Sequence, residues 1–104
     1  MMGWANHAIE KLRNGEAATI KPHGGSMRPL VESGAEVRLE PVEVAAVSVG
    51  DIVLCRVSGN VYLHLVNAVE GDGDGRRLLI GNNRGKTNGW TRTVYGRAIS
   101  VRNP

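Results

Sequence analysis

The chain has 104 residues and a formal net charge of +3, a length that suits one domain with a modest core. The hydrophobic share is 41%, the aromatic share is only 4% and Phe is absent, so we expect a sheet-rich fold with a core of Val, Leu, Ile and Ala. Because the basic residues are spread over many segments rather than gathered in one run, the charge argues against nucleic-acid binding.

The cysteine and histidine positions argue against a metal site. Cys55 is the only cysteine, which excludes an intrachain disulfide and a thiolate metal site, and its apolar surroundings predict a buried side chain rather than a reactive thiol. His7, His23 and His64 lack ligand spacing, and the acidic turn over residues 71–75 lacks the later ligands of a calcium loop. We therefore expect no metal and no cofactor.

Hydropathy predicts a protein without a membrane span. No run approaches the 18 apolar residues that a spanning helix needs, and the N-terminus lacks a basic-then-apolar signal pattern. We expect a soluble, cytoplasmic protein.

The first predicted elements lead into an unusual loop. Apolar residues at near-helical spacing over residues 4–13 predict a short amphipathic helix, which Asn14-Gly15 would end. Residues 17–22 then predict a strand that enters the glycine-flanked loop at residues 24–29. One helical turn is possible over residues 27–31.

Most later elements are predicted to be strands. Alternation predicts a strand over residues 36–40, while residues 42–49 fit either a loop or a strand. Residues 52–57 and 61–69 predict a hairpin across Ser58-Gly59-Asn60.

The last segment predicts two more strands, over residues 76–80 and 93–101, on either side of a polar loop at residues 81–89. The sum is a mainly β, strongly twisted antiparallel domain over residues 1–104, with one N-terminal helix and a β core at about residues 17–102.

The loop Gly24-Gly25-Ser26-Met27-Arg28-Pro29 presents a candidate nucleophile. Glycine permits positive φ, and proline restricts the backbone around it, so the loop would hold Ser26 rigidly. A serine hydroxyl reacts only when a base removes its proton; otherwise it is an ordinary turn serine bonded to its own backbone. His64 and Lys21 are the candidate bases, and histidine needs no depressed pKa to be neutral near pH 7. His64 could also be a half-buried strand residue satisfied by a carbonyl.

Four short motifs follow one another between residues 18 and 101. They are Gly25-Ser26-Met27-Arg28-Pro29, Gly34-Ala35-Glu36-Val37, Gly50-Asp51-Ile52-Val53, and Gly81-Asn82-Asn83-Arg84 with Gly96-Arg97-Ala98 after it. In this order they resemble the Gly-Ser-Met-x-Pro, Gly-Asp-x-Val, Gly-Asp-Ile-Val and Gly-Asp-Asn-Arg motifs of the catalytic domain shared by type I signal peptidases and LexA-like self-cleaving repressors. The resemblance implies their fold of strongly twisted antiparallel sheets.

The resemblance also implies roles for particular residues. Ser26 would be the nucleophile, and His64 stands where some of these enzymes carry the histidine base of a His-Arg-Val motif. Asn82 replaces the Asp of Gly-Asp-Asn-Arg and would orient the imidazole as a neutral partner.

Residues beside Ser26 are candidates for substrate binding. These are Gly24, Gly25 and Met27, although Met27 equally suits an apolar plug beneath the loop. Gly24 stands where many signal peptidases carry an oxyanion-binding hydroxyl, which leaves the amide of Ser26 as the chief donor.

The resemblance implies a soluble serine endopeptidase, a hydrolase in which a Ser/His pair cleaves an extended peptide or protein substrate. A catalytically silent domain that binds peptides or proteins is the alternative, because the acidic residues that support the base in these families are missing. A nucleic-acid-binding accessory protein is a third hypothesis.

Overall fold

A computed structural model describes residues 3–104, so the first two residues of the predicted domain lie outside it. One helix precedes seven strands. They are α1 (Asn6–Arg13), β1 (Ala18–Ile20), β2 (Glu36–Pro41), β3 (Ile52–Val57), β4 (Asn60–Glu70), β5 (Arg77–Gly81), β6 (Thr87–Thr91) and β7 (Val94–Arg102), with short 3₁₀ turns at Val44–Ala46 and Gly73–Gly75.

All seven strands pair antiparallel in one open sheet, in the order β1-β2-β7-β3-β4-β5-β6. The mainly β fold with one short helix is therefore confirmed, in a single sheet rather than several. The β3–β4 hairpin is confirmed as well. Ser58 and Gly59 at its turn have φ of 49° and 84°, the positive values that a two-residue turn needs to match strand twist.

Strand β3 is buried on both faces and joins two apolar clusters. Leu54 faces the cluster that α1 covers, whereas Val53 and Cys55 face a second cluster with Leu78 and Ile80. Cys55 is buried as predicted, and burial raises the pKa of its thiol to about 12. Its protonated sulfur is an apolar filler rather than a nucleophile.

Helix α1 packs closely on the sheet because β7 carries a glycine at the contact. A Cβ added to Gly96 would lie 2.9 Å from Leu12 Cδ1 and 2.9 Å from the carbonyl oxygen of Glu40. Side-chain carbons do not approach that closely, so this position requires glycine.

Strand β6 contradicts the predicted polar loop over residues 81–89. Its sequence, Thr-Asn-Gly-Trp-Thr, contains Asn and Gly, which local propensity disfavours in strands. Pairing overrides that propensity, with Ile80 opposite Gly89 and Leu79 opposite Trp90. Residues 27–31 form one turn, which the bond from Val31 N to Met27 O at 3.0 Å closes as in a helix, and residues 42–49 form a loop with a 3₁₀ turn, one of the two alternatives that the sequence left open.

In the part of the chain that the structure describes, no helix is long and apolar enough to cross a membrane. Among residues 3–104, no three His, Cys, Asp or Glu side chains gather as a metal-binding group.

Candidate active site

Ser26 lies on the loop between β1 and β2, where its side chain is exposed. Turns fold the loop back on itself, with Arg28 N donating to Gly25 O at 3.3 Å and Val31 N donating to Met27 O at 3.0 Å. Met27 is only 4% exposed and packs in the cluster beneath the loop. Its buried side chain anchors the loop, as the apolar-plug interpretation of Met27 expects, whereas nothing in the structure tests its assignment as a substrate-binding residue.

The loop at residues 24–29, which carries Ser26, is held in place by hydrogen bonds from the loop between β5 and β6. Asn83 Nδ2 donates to Arg28 O at 2.9 Å, and Arg84 Nη2 donates to Gly25 O at 3.1 Å. Because these bonds engage carbonyl oxygens on both sides of Ser26, they fix the peptide planes around it. Asn83 and Arg84 thus hold the loop that carries Ser26.

His64 faces Ser26 across the loop. Its Nε2 lies 3.0 Å from Ser26 Oγ, although the two residues are 38 positions apart in sequence. Strand β4 presents the imidazole half-buried, opposite Val53 of β3. The predicted nucleophile and base are thus within hydrogen-bond distance. Lys21, the other candidate base, makes no hydrogen bond to Ser26 among the described residues.

The other nitrogen of His64 meets an amide of β6. His64 Nδ1 lies 2.6 Å from Asn88 Oδ1. An amide oxygen only accepts, so this contact requires the proton on Nδ1 and leaves the Nε2 lone pair for the Ser26 hydroxyl. A general base needs this tautomer.

Asn88 thus makes the contact that the sequence assigned to Asn82. Asn82 Oδ1 instead accepts from the backbone N–H of Arg84 at 2.9 Å and of Lys86 at 3.0 Å, which closes the β5–β6 turn. Asn88 was missed because it reaches His64 only when residues 87–91 form a strand. The Asn-Gly-Trp run offered no local signal for that strand.

Burial affects the pKa of His64. Desolvation lowers the pKa of His64 from its usual 6.5, and the hydrogen bond to Asn88 raises it in partial compensation. The ring of Tyr62 lies beside the imidazole, with centroids 5.1 Å apart. Imidazole is consequently neutral near pH 7, the state in which it can accept a proton.

A cleft of about 620 Å³ opens at Ser26 and His64, between α1, β1 and the first half of β4. Two free strand edges border it. Strand β1 ends the sheet, and β4 gains its partner β5 only from Leu65 onward, so residues 60–64 are paired on one side alone. Free edges of this kind can pair with an extended peptide.

The amide of Ser26 is available as a donor in this cleft. Its N–H makes no hydrogen bond to another described residue. Gly24, with φ of 114°, and Gly25 precede it without side chains that would cover the amide. Both glycines line a separate cavity with Arg28 and Glu32 rather than the cleft at His64.

A comparison with protein-family models finds no match for this chain, and a search of curated proteins finds none either. The residues of the site are therefore the basis on which a function can be proposed.

Proposed function

We propose that this protein is a serine peptidase in which Ser26 is the nucleophile, His64 the general base and Asn88 the residue that orients it. The observation that carries the proposal is the continuous hydrogen-bonded series Ser26–His64–Asn88, with separations of 3.0 Å and 2.6 Å, at the mouth of a cleft. The motif order that resembles signal peptidases and LexA-like repressors supports the roles of Ser26 and His64.

The reaction would proceed in two halves. Ser26 Oγ attacks the substrate carbonyl carbon as His64 Nε2 takes the hydroxyl proton, and the negative oxygen is stabilised by the Ser26 amide. His64 then gives its proton to the leaving nitrogen, the C–N bond breaks and an ester to Ser26 remains. Water attacks this ester with His64 again as base, which releases a carboxylic acid and restores the serine.

The neutral partner of His64 sets an expectation for rate. Asn88 fixes the tautomer and the ring orientation, as the amide does in Cys-His-Asn proteases. It stabilises the transient imidazolium less than a carboxylate would, so we expect slower acylation than in Ser-His-Asp enzymes.

A fluorophosphonate probe tests the proposal, with covalent adducts measured by intact mass. We expect a single adduct that Ser26→Ala abolishes and that His64→Ala slows by about 10²–10⁴-fold, the usual contribution of a general base. Asn88→Ala should also slow labelling, whereas the matched variant Asn82→Ala should react much more like the wild type. A wild-type protein that stays unlabelled, or an adduct that survives Ser26→Ala, would contradict a serine nucleophile.

A silent peptide-binding domain is the second candidate, and the uncharged Asn88 beside the base is the observation that favours it. In that case the wild type would resist the probe. Ser26→Ala would bind extended peptides as tightly as the wild type.

A further inference from the structure

The cleft beside Ser26 is one end of a longer groove. A second cavity of about 600 Å³ adjoins it and shares Trp4, Val61 and Tyr62 with it. The second cavity ends at Arg56 and Asn60, near the tip of the β3–β4 hairpin. The two cavities together are called the extended groove below.

The extended groove has no acidic lining. Ten Asp and Glu residues occur in the chain, yet none of the described residues that line either cavity is acidic. Two permanent cations do line it, Lys21 beside the nucleophile loop and Arg56 at the far end. His7 and His23 add two further nitrogen-bearing side chains to the wall near Lys21.

Arg56 has neutral partners only. Its Nε donates to Tyr95 Oη at 2.9 Å and its Nη1 donates to Gly59 O at 3.2 Å. Every ion pair among the described residues uses another arginine: Arg28, Arg77 or Arg97. Arg56 therefore has no carboxylate partner among the described residues.

Distances along β4 give the position of Arg56 relative to the bond that would react at Ser26. Asn60 lies four positions before His64, and an extended chain advances about 3.3 Å per residue, so this end of the groove lies roughly 13 Å from His64. Arg56 pairs with Val61 across the β3–β4 ladder, so a peptide on the free edge of β4 would place its third or fourth residue from the scissile bond level with Arg56, with β4 between them. Between the two ends, Val61 and the exposed Trp4 present apolar surface.

We propose that the extended groove selects peptides that carry an acidic residue three or four positions from the bond at Ser26, with apolar residues between. The inference depends on the proposed function for the position of that bond, but peptide binding does not require the chemistry. A peptide fits better than an oligonucleotide because the free edge of β4 offers backbone pairing.

Binding to Ser26→Ala protein separates this inference from catalysis. The probes are fluorescent Ala- and Val-rich decapeptides in which one Glu is moved through each position, with Gln and Lys versions of every peptide, and binding is measured by anisotropy. We expect Glu at one position, or at two neighbouring positions, to bind about fivefold more tightly than Gln at the same position, the ratio that one favourable charge pair of ~1 kcal/mol gives. Lys at those positions should bind more weakly than Gln.

Three variants assign the effect to the groove. Arg56→Gln should remove the preference for Glu, whereas Arg56→Lys keeps the positive charge and should retain the preference, which keeps the test valid if Arg56→Gln unfolds. Arg38→Gln, on the exposed face of β2, is the matched control and should leave it intact.

Equal affinity for Glu and Gln peptides would overturn the inference, as would failure of the Glu peptides to bind or tighter binding of a single-stranded oligonucleotide. Fluorophosphonate labelling is scored separately. A protein that labels without an acidic preference keeps the proposed function, and one that prefers Glu without labelling keeps this inference alone.

Discussion

His64 lies between the hydroxyl of Ser26 and the amide of Asn88, and its proposed role as a base predicts how labelling should respond to pH. Labelling requires neutral imidazole, so its rate should rise as pH increases through the pKa of His64. Burial lowers that pKa, which places the expected midpoint below 6.5.

Asn88→Asp tests the part that the amide plays in this response. A carboxylate at 2.6 Å would stabilise imidazolium and raise the pKa of His64, so the midpoint of the labelling–pH profile should move to higher pH. The plateau rate should also rise, because the transient charge is better stabilised. Asn82→Asp is the control, and a shift as large as that of Asn88→Asp would argue against direct contact with His64.

At the scale of elements, regular alternation made most of the fold predictable. Strand β3 and the hairpin to β4 follow from an apolar run, a Ser-Gly turn and a second run. His64 and Ser26 were found because each has a strong local or motif signal. Strand β6 has no such signal, so the sequence did not predict the contact between Asn88 and His64 and assigned it to Asn82 instead.

The hydrogen bonds from Asn83 and Arg84 to the loop that carries Ser26 give a prediction at this scale. Arg84→Ala removes the bond to Gly25 O, which frees the peptide plane before Ser26 and should slow fluorophosphonate labelling about tenfold through loss of orientation. The unfolding midpoint should change little because the side chain is exposed. Lys86→Ala, in the same loop, is the control. Equal labelling by both variants would show that the bond from Arg84 is dispensable.

The contact between α1 and β7 gives a prediction on stability. Gly96→Ala would insert a methyl group against Leu12 and the carbonyl of Glu40, and overpacking of this kind costs about 1–3 kcal/mol of unfolding free energy. Urea denaturation measures it. Gly75→Ala is the control, since nothing lies within 4 Å of its added Cβ. A loss of stability in Gly75→Ala as large as in Gly96→Ala would contradict this account.

At the scale of the whole molecule, one continuous sheet links the two apolar clusters through β3. Trp4 lies on the α1 side and Trp90 lies on β6, and these are the only two tryptophans. Single-tryptophan variants, Trp4→Phe and Trp90→Phe, should show coincident fluorescence and circular-dichroism transitions in urea, as a cooperative domain requires. In either variant, a fluorescence midpoint separated from that of circular dichroism would divide the chain into two folding units.

Strand β6 ends the sheet and has β5 as its only ladder partner among the described residues, with one further hydrogen bond to β3 from Thr91 Oγ1 to Arg56 O at 2.6 Å. Such strands detach in small native-state fluctuations that leave the rest of a protein folded. Each detachment would carry Asn88 away from His64 and interrupt the preferred tautomer, while Ser26 stays anchored through Met27. The proportion of competent molecules would then be governed by the fraying of one short strand, and amide hydrogen exchange in β6 should report it as faster than exchange in β3.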